Sequence, residues 1–233
     1  MRDYLVFDGI NSKDYNIYIA NKNQFDAPAR DVKEYDIPGM NGSLTIDNGR
    51  FFNLKQDYLM YIRHDVTKYV PAFRGLLLKS SGYRKLQDSF NPDEFYYARF
   101  DGGFKIERSD RDGAEIKLSF DRKPQRYLVS GSKPVEVTTG SSLLNPTQYA
   151  AKPLIRAYGT GTLTVNGVSI TITTANVYTD INCEIQDAYK GSTNCNGNIT
   201  LTNGEFPTLS PGSNTITFSG LTKLEITPNW WTI

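Results

Sequence analysis

The stretch Thr162-Leu163-Thr164-Val165-Asn166-Gly167-Val168-Ser169-Ile170-Thr171-Ile172-Thr173 decides the fold class. Two short runs of Thr, Ile and Val flank an Asn-Gly pair. That pair is the strongest short-range signal for a β-hairpin, because a two-residue loop of the favoured type needs positive φ at both positions. On either side lie further short runs of the same kind: Leu154 to Tyr158, Val177 to Ile185, Asn198 to Thr202, Asn214 to Phe218 and Lys223 to Thr227. Turn residues separate them. A spacing of roughly 8–15 residues predicts an all-β sandwich.

Upstream, the character of the chain changes near residue 128. Residues 1–128 hold 21 basic and 19 acidic residues, whereas residues 129–233 hold 5 and 6. Two such different surfaces predict two domains, 1–128 and 129–233. The junction Ser130-Gly131-Ser132-Lys133-Pro134 has turn-forming composition. In the first domain Tyr4 to Phe7, Tyr15 to Ile19, Leu54 to Ile62, Phe95 to Phe100 and Ala114 to Phe120 read as strands. Val32 to Ile37 and Ser43 to Ile46 pair as a hairpin across Pro38-Gly39-Met40-Asn41-Gly42. Asn48-Gly49 reads as a second tight turn, and Asp101-Gly102-Gly103 as another. One helix is expected, with Pro71 at its first position, Phe73, Leu76 and Leu77 on its apolar face, and Gly82 as its C-terminal cap.

Composition narrows the function classes. The chain has 233 residues, 39% hydrophobic, with a net charge of +1. That balance gives no global attraction to nucleic acid or anionic lipid, so neither a direct nucleic-acid site nor membrane insertion is expected. No run approaches the ~18 apolar residues of a membrane-spanning helix. No apolar signal-peptide core follows Met1-Arg2-Asp3-Tyr4, so the expectation is assembly in a cytoplasm.

Catalytic machinery is hard to find, and the chain reads as non-enzymatic, with no cofactor and no metal site. The one histidine, His64 in Arg63-His64-Asp65, has no Gly-x-Ser-x-Gly elbow to serve. Cys183 and Cys195 are too far apart for a Cys-x-x-Cys motif. They are read as two free thiols, with a hairpin-spanning disulfide as the alternative. Asp180 and Glu184 are the nearest approach to a two-carboxylate pair. Gly159-Thr160-Gly161 is followed by no helix and reads as a turn rather than a phosphate cradle. Trp230 and Trp231 would be the sugar-stacking candidates of a carbohydrate-binding module. The competing reading packs them into the sandwich or an interface.

Several stretches, in order along nearly the whole chain, resemble the distal tail protein family of siphophages and prophages of Gram-positive bacteria. They begin with Phe7-Asp8-Gly9-Ile10-Asn11-Ser12. Arg30 follows, with Asp36-Ile37-Pro38-Gly39-Met40-Asn41-Gly42 and Asp47-Asn48-Gly49-Arg50. Next come Phe73-Arg74-Gly75-Leu76-Leu77-Leu78, Gly82 to Asp88, Asn91-Pro92-Asp93-Glu94 and Lys123-Pro124-Gln125-Arg126-Tyr127-Leu128. The second domain contributes Asn145-Pro146, Ala151-Lys152-Pro153-Leu154-Ile155, Asn182-Cys183-Glu184, Phe206 to Asn214, and Ile226-Thr227-Pro228-Asn229-Trp230-Trp231. Asn182 stands where family members often carry Asp, and Asn229 where many carry Arg.

The resemblance implies a mainly β protein. Its N-terminal domain would be a β-sandwich with one α-helix and a protruding hairpin, and its C-terminal domain a galectin-like β-sandwich. Six copies would close into a ring at the distal end of the tail, with the hairpin around Pro38, Gly39, Met40, Asn41 and Gly42 at the ring interface. The implied partners are the chain itself, the tail tube protein, a tail-tip or tail-associated protein, the tape-measure protein, and receptor-binding or baseplate proteins. The implied location is the virion tail tip, after assembly in the host bacterial cytoplasm.

Overall fold

The computed structural model describes residues 2–22, 26–109 and 113–233. The chain divides into two compact units. One runs to Arg126 and takes in Ile233; the other is Tyr127–Thr232.

The first unit contains, in order, β1 (Leu5–Phe7), β2 (Ile10–Asn11), β3 (Ile17–Lys22), β4 (Arg30–Asp36), β5 (Ser43–Phe51), β6 (Leu54–Ile62), the helix α1 (Val66–Lys79), β7 (Arg84–Asp88), β8 (Glu94–Ser109) and β9 (Ala114–Arg122). An antiparallel sheet runs β2-β1-β7-β8-β9-β6-β3, and β4 and β5 form a separate two-stranded ribbon. β6 and β9 pair without interruption from Leu54 opposite Arg122 to Ile62 opposite Ala114. Every second residue of each is buried: Tyr58, Met60 and Ile62 on one, Ala114, Ile116, Leu118 and Phe120 on the other. A period of two puts one face of each strand into the core. The Phe120 ring lies 5.0 Å from Phe7 and 5.2 Å from Phe100, centre to centre. Val70, Phe73 and Leu77 recur every three or four residues on α1 and close over this core.

Four local readings differ from the sequence expectation, one of them at the helix end: α1 stops at Lys79 with Ser80 as its cap in extended backbone, so Gly82, at a φ of 71°, lies two residues beyond the cap. α1 begins at Val66 behind Asp65, so Pro71 lies inside the helix rather than at its start. The proline there removes one backbone donor, and the apolar stripe Val70-Phe73-Leu77 packed on the sheet offsets that cost. Asn48-Gly49 is not a turn: β5 runs through it as a bulge, where pairing jumps from Arg30 opposite Phe51 to Val32 opposite Asp47. Asp101-Gly102-Gly103 is likewise a bulge inside the 16-residue β8. A Cβ at Gly103 would come within 2.9 Å of Ser119 Cβ, so the close strand approach needs a glycine there.

The second unit holds β10 (Arg126–Leu128, shared with the boundary), β11 (Val135–Glu136), β12 (Ser141–Asn145), β13 (Leu154–Tyr158), β14 (Gly161–Val165), β15 (Val168–Ile172), β16 (Tyr178–Asn182), β17 (Asp187–Lys190), β18 (Thr193–Asn194), β19 (Ile199–Leu201), β20 (Gly212–Ser219), β21 (Lys223–Thr227) and β22 (Trp231–Thr232). One sheet runs β11-β21-β13-β16-β17-β18 and the other β12-β20-β14-β15-β19. Between them lies a core that includes Ile155, Ala157, Leu163, Val165, Ile170, Ile181, Ile216, Leu224 and Ile226. This is the sandwich that the short Thr/Ile/Val runs predict. Asn166 and Gly167 have φ of 49° and 88°, as the tight turn between β14 and β15 requires.

Candidate functional site

In the ribbon β4–β5 most of the large apolar side chains stay in solvent. Its turn follows from sequence. Pro38 presets φ, Gly39 takes a φ of 83°, and Met40 N–H donates to Ile37 O at 3.1 Å. Those are the positions a type II turn demands. Register then sorts the side chains. Lys33 faces Ile46 and Tyr35 faces Leu44, so Tyr35, Ile37, Leu44 and Ile46 share a face. Glu34 faces Thr45, Asp36 faces Ser43, and Val32 faces Asp47, so the other face is mostly polar. Tyr35 is 49% exposed and Met40, at the tip, 52%.

The ribbon's root is held by charge. Asp31 accepts from Arg50 Nε at 2.5 Å and from Asn48 Nδ2 at 3.0 Å. These two hydrogen bonds, Arg50 first, hold its carboxyl below the usual carboxylate range. Arg30 pairs with Asp47 at 3.0 Å and lies over the Phe51 ring, and Phe52 N–H donates to Ala29 O. The bulge at Asn48-Gly49 brings Asn48 and Arg50 together on Asp31.

The other candidates take structural places. Trp230 is buried. Trp231 is half-buried, stacked on Tyr149 at 4.4 Å, with its Nε1–H on Ala150 O. Cys183 and Cys195 are both free thiols and both buried, and burial pushes the Cys183 thiol up to about 12. His64 is exposed beside Asp65, at 3.1 Å. Asp180 is buried against Arg156, while Glu184 is exposed near Lys152, so different cations hold these two carboxylates. No group of three or more His, Cys, Asp or Glu suited to a metal ion occurs among the described residues. No described helix is long and apolar enough to cross a membrane.

Two polar assemblies escape a linear reading. In the first unit Lys22 Nζ sits 2.8 and 2.9 Å from the two carboxylate oxygens of Asp88, and both side chains are almost fully buried. Asp88 also accepts from Tyr58 Oη at 2.8 Å and from the backbone N–H groups of Phe90 and Asn91. Burial first, and Asp88 second, push the Tyr58 phenol well up. In the second unit, one face of the β21-β13-β16 sheet gathers Arg156, Tyr158, Tyr178, Asp180, Lys223 and Glu225. Arg156 grips Asp180 through two hydrogen bonds of 2.6 and 2.9 Å and lies 4.5 Å from the Tyr178 ring centre. Tyr158 and Lys223 both bind Glu225. Linear inspection finds no such charged and aromatic group on adjacent strands; cross-strand register assembles it, with Arg156 opposite Asp180 on one side and Glu225 on the other.

No family model matches the chain, and no curated protein matches it. Solved structures do. The Dit (gp 19.1) protein of SPP1, described as a paradigm of the hub adsorption apparatus in phages infecting Gram-positive bacteria, matches with a TM-score of 0.75 at 12% identity, over 100% of both chains. A chain of the phage P2 baseplate, in its activated conformation with calcium, matches with a TM-score of 0.57 at 10% identity, over 97% of each. At such low identity the likeness carries the fold, and over its whole length this chain has the fold of a phage hub protein.

Proposed function

We propose that the chain is the structural hub of a phage tail tip, a non-catalytic protein whose six copies close into a ring. In this reading residues 1–128 form the ring and residues 129–233 offer a docking platform. The ring joins the tail tube to the tail-tip or baseplate proteins and to receptor-binding proteins, with the tape-measure protein as a further neighbour. Its place is the virion tail tip, after assembly in the host cytoplasm. The observation that carries the proposal is the ribbon β4–β5, whose exposed face bears Tyr35, Ile37, Leu44 and Ile46. A lone two-stranded ribbon is marginal in water, and a contiguous exposed apolar face marks a contact surface. An arm that reaches one neighbour makes a head-to-tail contact, which must close into a ring or run on as a fibre. The whole-length likeness to SPP1 Dit supports the same reading.

Light scattering on the purified chain tests it. A ring gives a mass of about six times the 26.2 kDa of one chain. A monomer that persists both alone and with its tail-tip neighbours would refute the ring. The second reading, a carbohydrate-binding module of an adhesion device, draws its support from the Arg156, Tyr178 and Glu225 face rather than from Trp230 or Trp231.

A further inference from the structure

The core of the first unit turns polar at one end. The inward stripe of β9 runs Ala114, Ile116, Leu118, Phe120 and then Arg122; that of β6 runs Ile62, Met60, Tyr58 and then Gln56. β3 ends at the same place with the buried Lys22. A cavity of about 220 Å³ opens there, with Asp26, Glu94, Tyr96, Arg126 and Ile233 also on its wall.

We propose that this cavity is a binding site for a single carboxylate group, held by Arg122. Arg122 is 5% exposed, yet its Nε and Nη1 have no hydrogen-bond partner among the described residues. Its Nη2 makes one long contact, 3.5 Å, to the backbone oxygen of Asp26. The guanidinium carbon lies over the Tyr96 ring, 4.5 Å from its centre, a contact that helps to hold the side chain in place. The other cations of the cavity are matched: Lys22 with Asp88 at 2.8 Å, and Arg126 with Glu94 at 3.4 Å and, through Nη2, with the Ile233 oxygen. Arg122 forms no ion pair among the described residues, and burial draws its pKa down.

A buried guanidinium with idle donors is a strong acceptor of a planar oxyanion, because its fork matches a carboxylate. Charge selects the ligand. Arg122 is the cation of the wall without an ion pair among the described residues, and Asp26 and Glu94 already bring negative charge to that wall, so a monoanion is favoured over a phosphate dianion. Size selects it too. At roughly 30 Å³ per water the cavity holds a carboxylate and a few waters. It is smaller than the roughly 300–1,000 Å³ of sites for drug-sized molecules. The carboxylate is either that of a free small acid or that of an acidic side chain of a second copy of this chain.

The full chain is melted across a sodium acetate series and a sodium chloride series matched in ionic strength. Acetate is expected to raise the Tm saturably, chloride to leave it flat, and phosphate to act more weakly than acetate. Arg122→Met is expected to abolish the acetate response. Arg122→Lys keeps the charge without the fork; if the Met variant does not fold, it carries the test, with apparent affinity about tenfold weaker or worse. Equal acetate and chloride curves in the wild type would overturn the proposal, as would an undiminished acetate response in either variant. Sedimentation in the same series separates the sources. Copies released by acetate identify a neighbour's side chain as the natural ligand, and saturation without release identifies a free acid.

Discussion

At the scale of single residues, stability in the first unit concentrates on Asp88. It accepts five hydrogen bonds, from Lys22, Tyr58 and the chain just beyond it, and both charged side chains are almost fully buried. Replacing one member strands the other charge. Asp88→Ala is therefore expected to destabilise the first unit by about 3–5 kcal/mol, read as a lower urea midpoint at unchanged slope. Asp31 acts differently, because its partner Arg50 is largely exposed. Its carboxyl titrates lower in the folded chain than in the unfolded one, so its contribution is complete above the ordinary carboxylate pKa. That contribution is lost as pH falls through the lowered value. Amide exchange in β4 and β5 should accelerate as pH drops below about 4, beyond the intrinsic pH effect. Asp31→Asn should remove that added acceleration; an identical pH profile in the variant would count against the root as drawn.

At the scale of elements, α1 and the ribbon make opposite predictions. Leu77 is fully buried in the core that α1 closes, so Leu77→Ala should cost about 2–5 kcal/mol. A change below about 0.5 kcal/mol, the size of a surface substitution, would mean that this face does not pack. The ribbon's outer part contributes little to its own unit, since Tyr35, Ile37, Met40, Leu44 and Ile46 are exposed. Deleting Pro38 to Gly42 should leave the melting temperature of the unit nearly unchanged and weaken the proposed ring. Full assembly of the deletion variant at low micromolar concentration would exclude the ribbon as the ring contact. The bulges belong to this scale as well. Gly103 and the Asn48-Gly49 pair read as turns in one dimension because glycine permits both; only the partner strands, β9 and β4, show the chain continuing past them.

At the scale of the whole molecule, the question is what the second unit offers a partner. Its tryptophans are committed, Trp230 to the core and Trp231 to Tyr149. The Arg156 face is internally satisfied: Arg156 with Asp180, and Lys223 with Glu225 and Glu136. A sugar would have to compete with those pairs. The full chain is therefore expected to show no saturable binding to host cell-wall polysaccharide in calorimetric titration. Sub-millimolar binding lost in Tyr178→Ala, without unfolding, would instead favour the carbohydrate-binding reading.

What the sequence determined by itself is local. The Asn166-Gly167 turn, the two-residue alternation of Ala114, Ile116, Leu118 and Phe120, and the Pro38-Gly39 turn follow from sterics and periodicity within a few residues. The same alternation, carried two residues further, already aims Arg122 inward, a signal the chain holds in plain view. The start of α1 is not local in this sense: packing of Val70, Phe73 and Leu77 admits Pro71 into the helix against its intrinsic preference. The polar centres are less local still. Lys22 and Asp88 lie 66 positions apart, and Arg156 and Asp180 lie 24 apart. Their meeting depends on which strand lies beside which, and on a bulge in β3 that shifts the pairing register between Ile19 and Asn21 ahead of Lys22. Strand order is settled by burial of the whole core, in which each pairing must suit every other. No stretch of a few residues contains that information, and only the tertiary structure decides it.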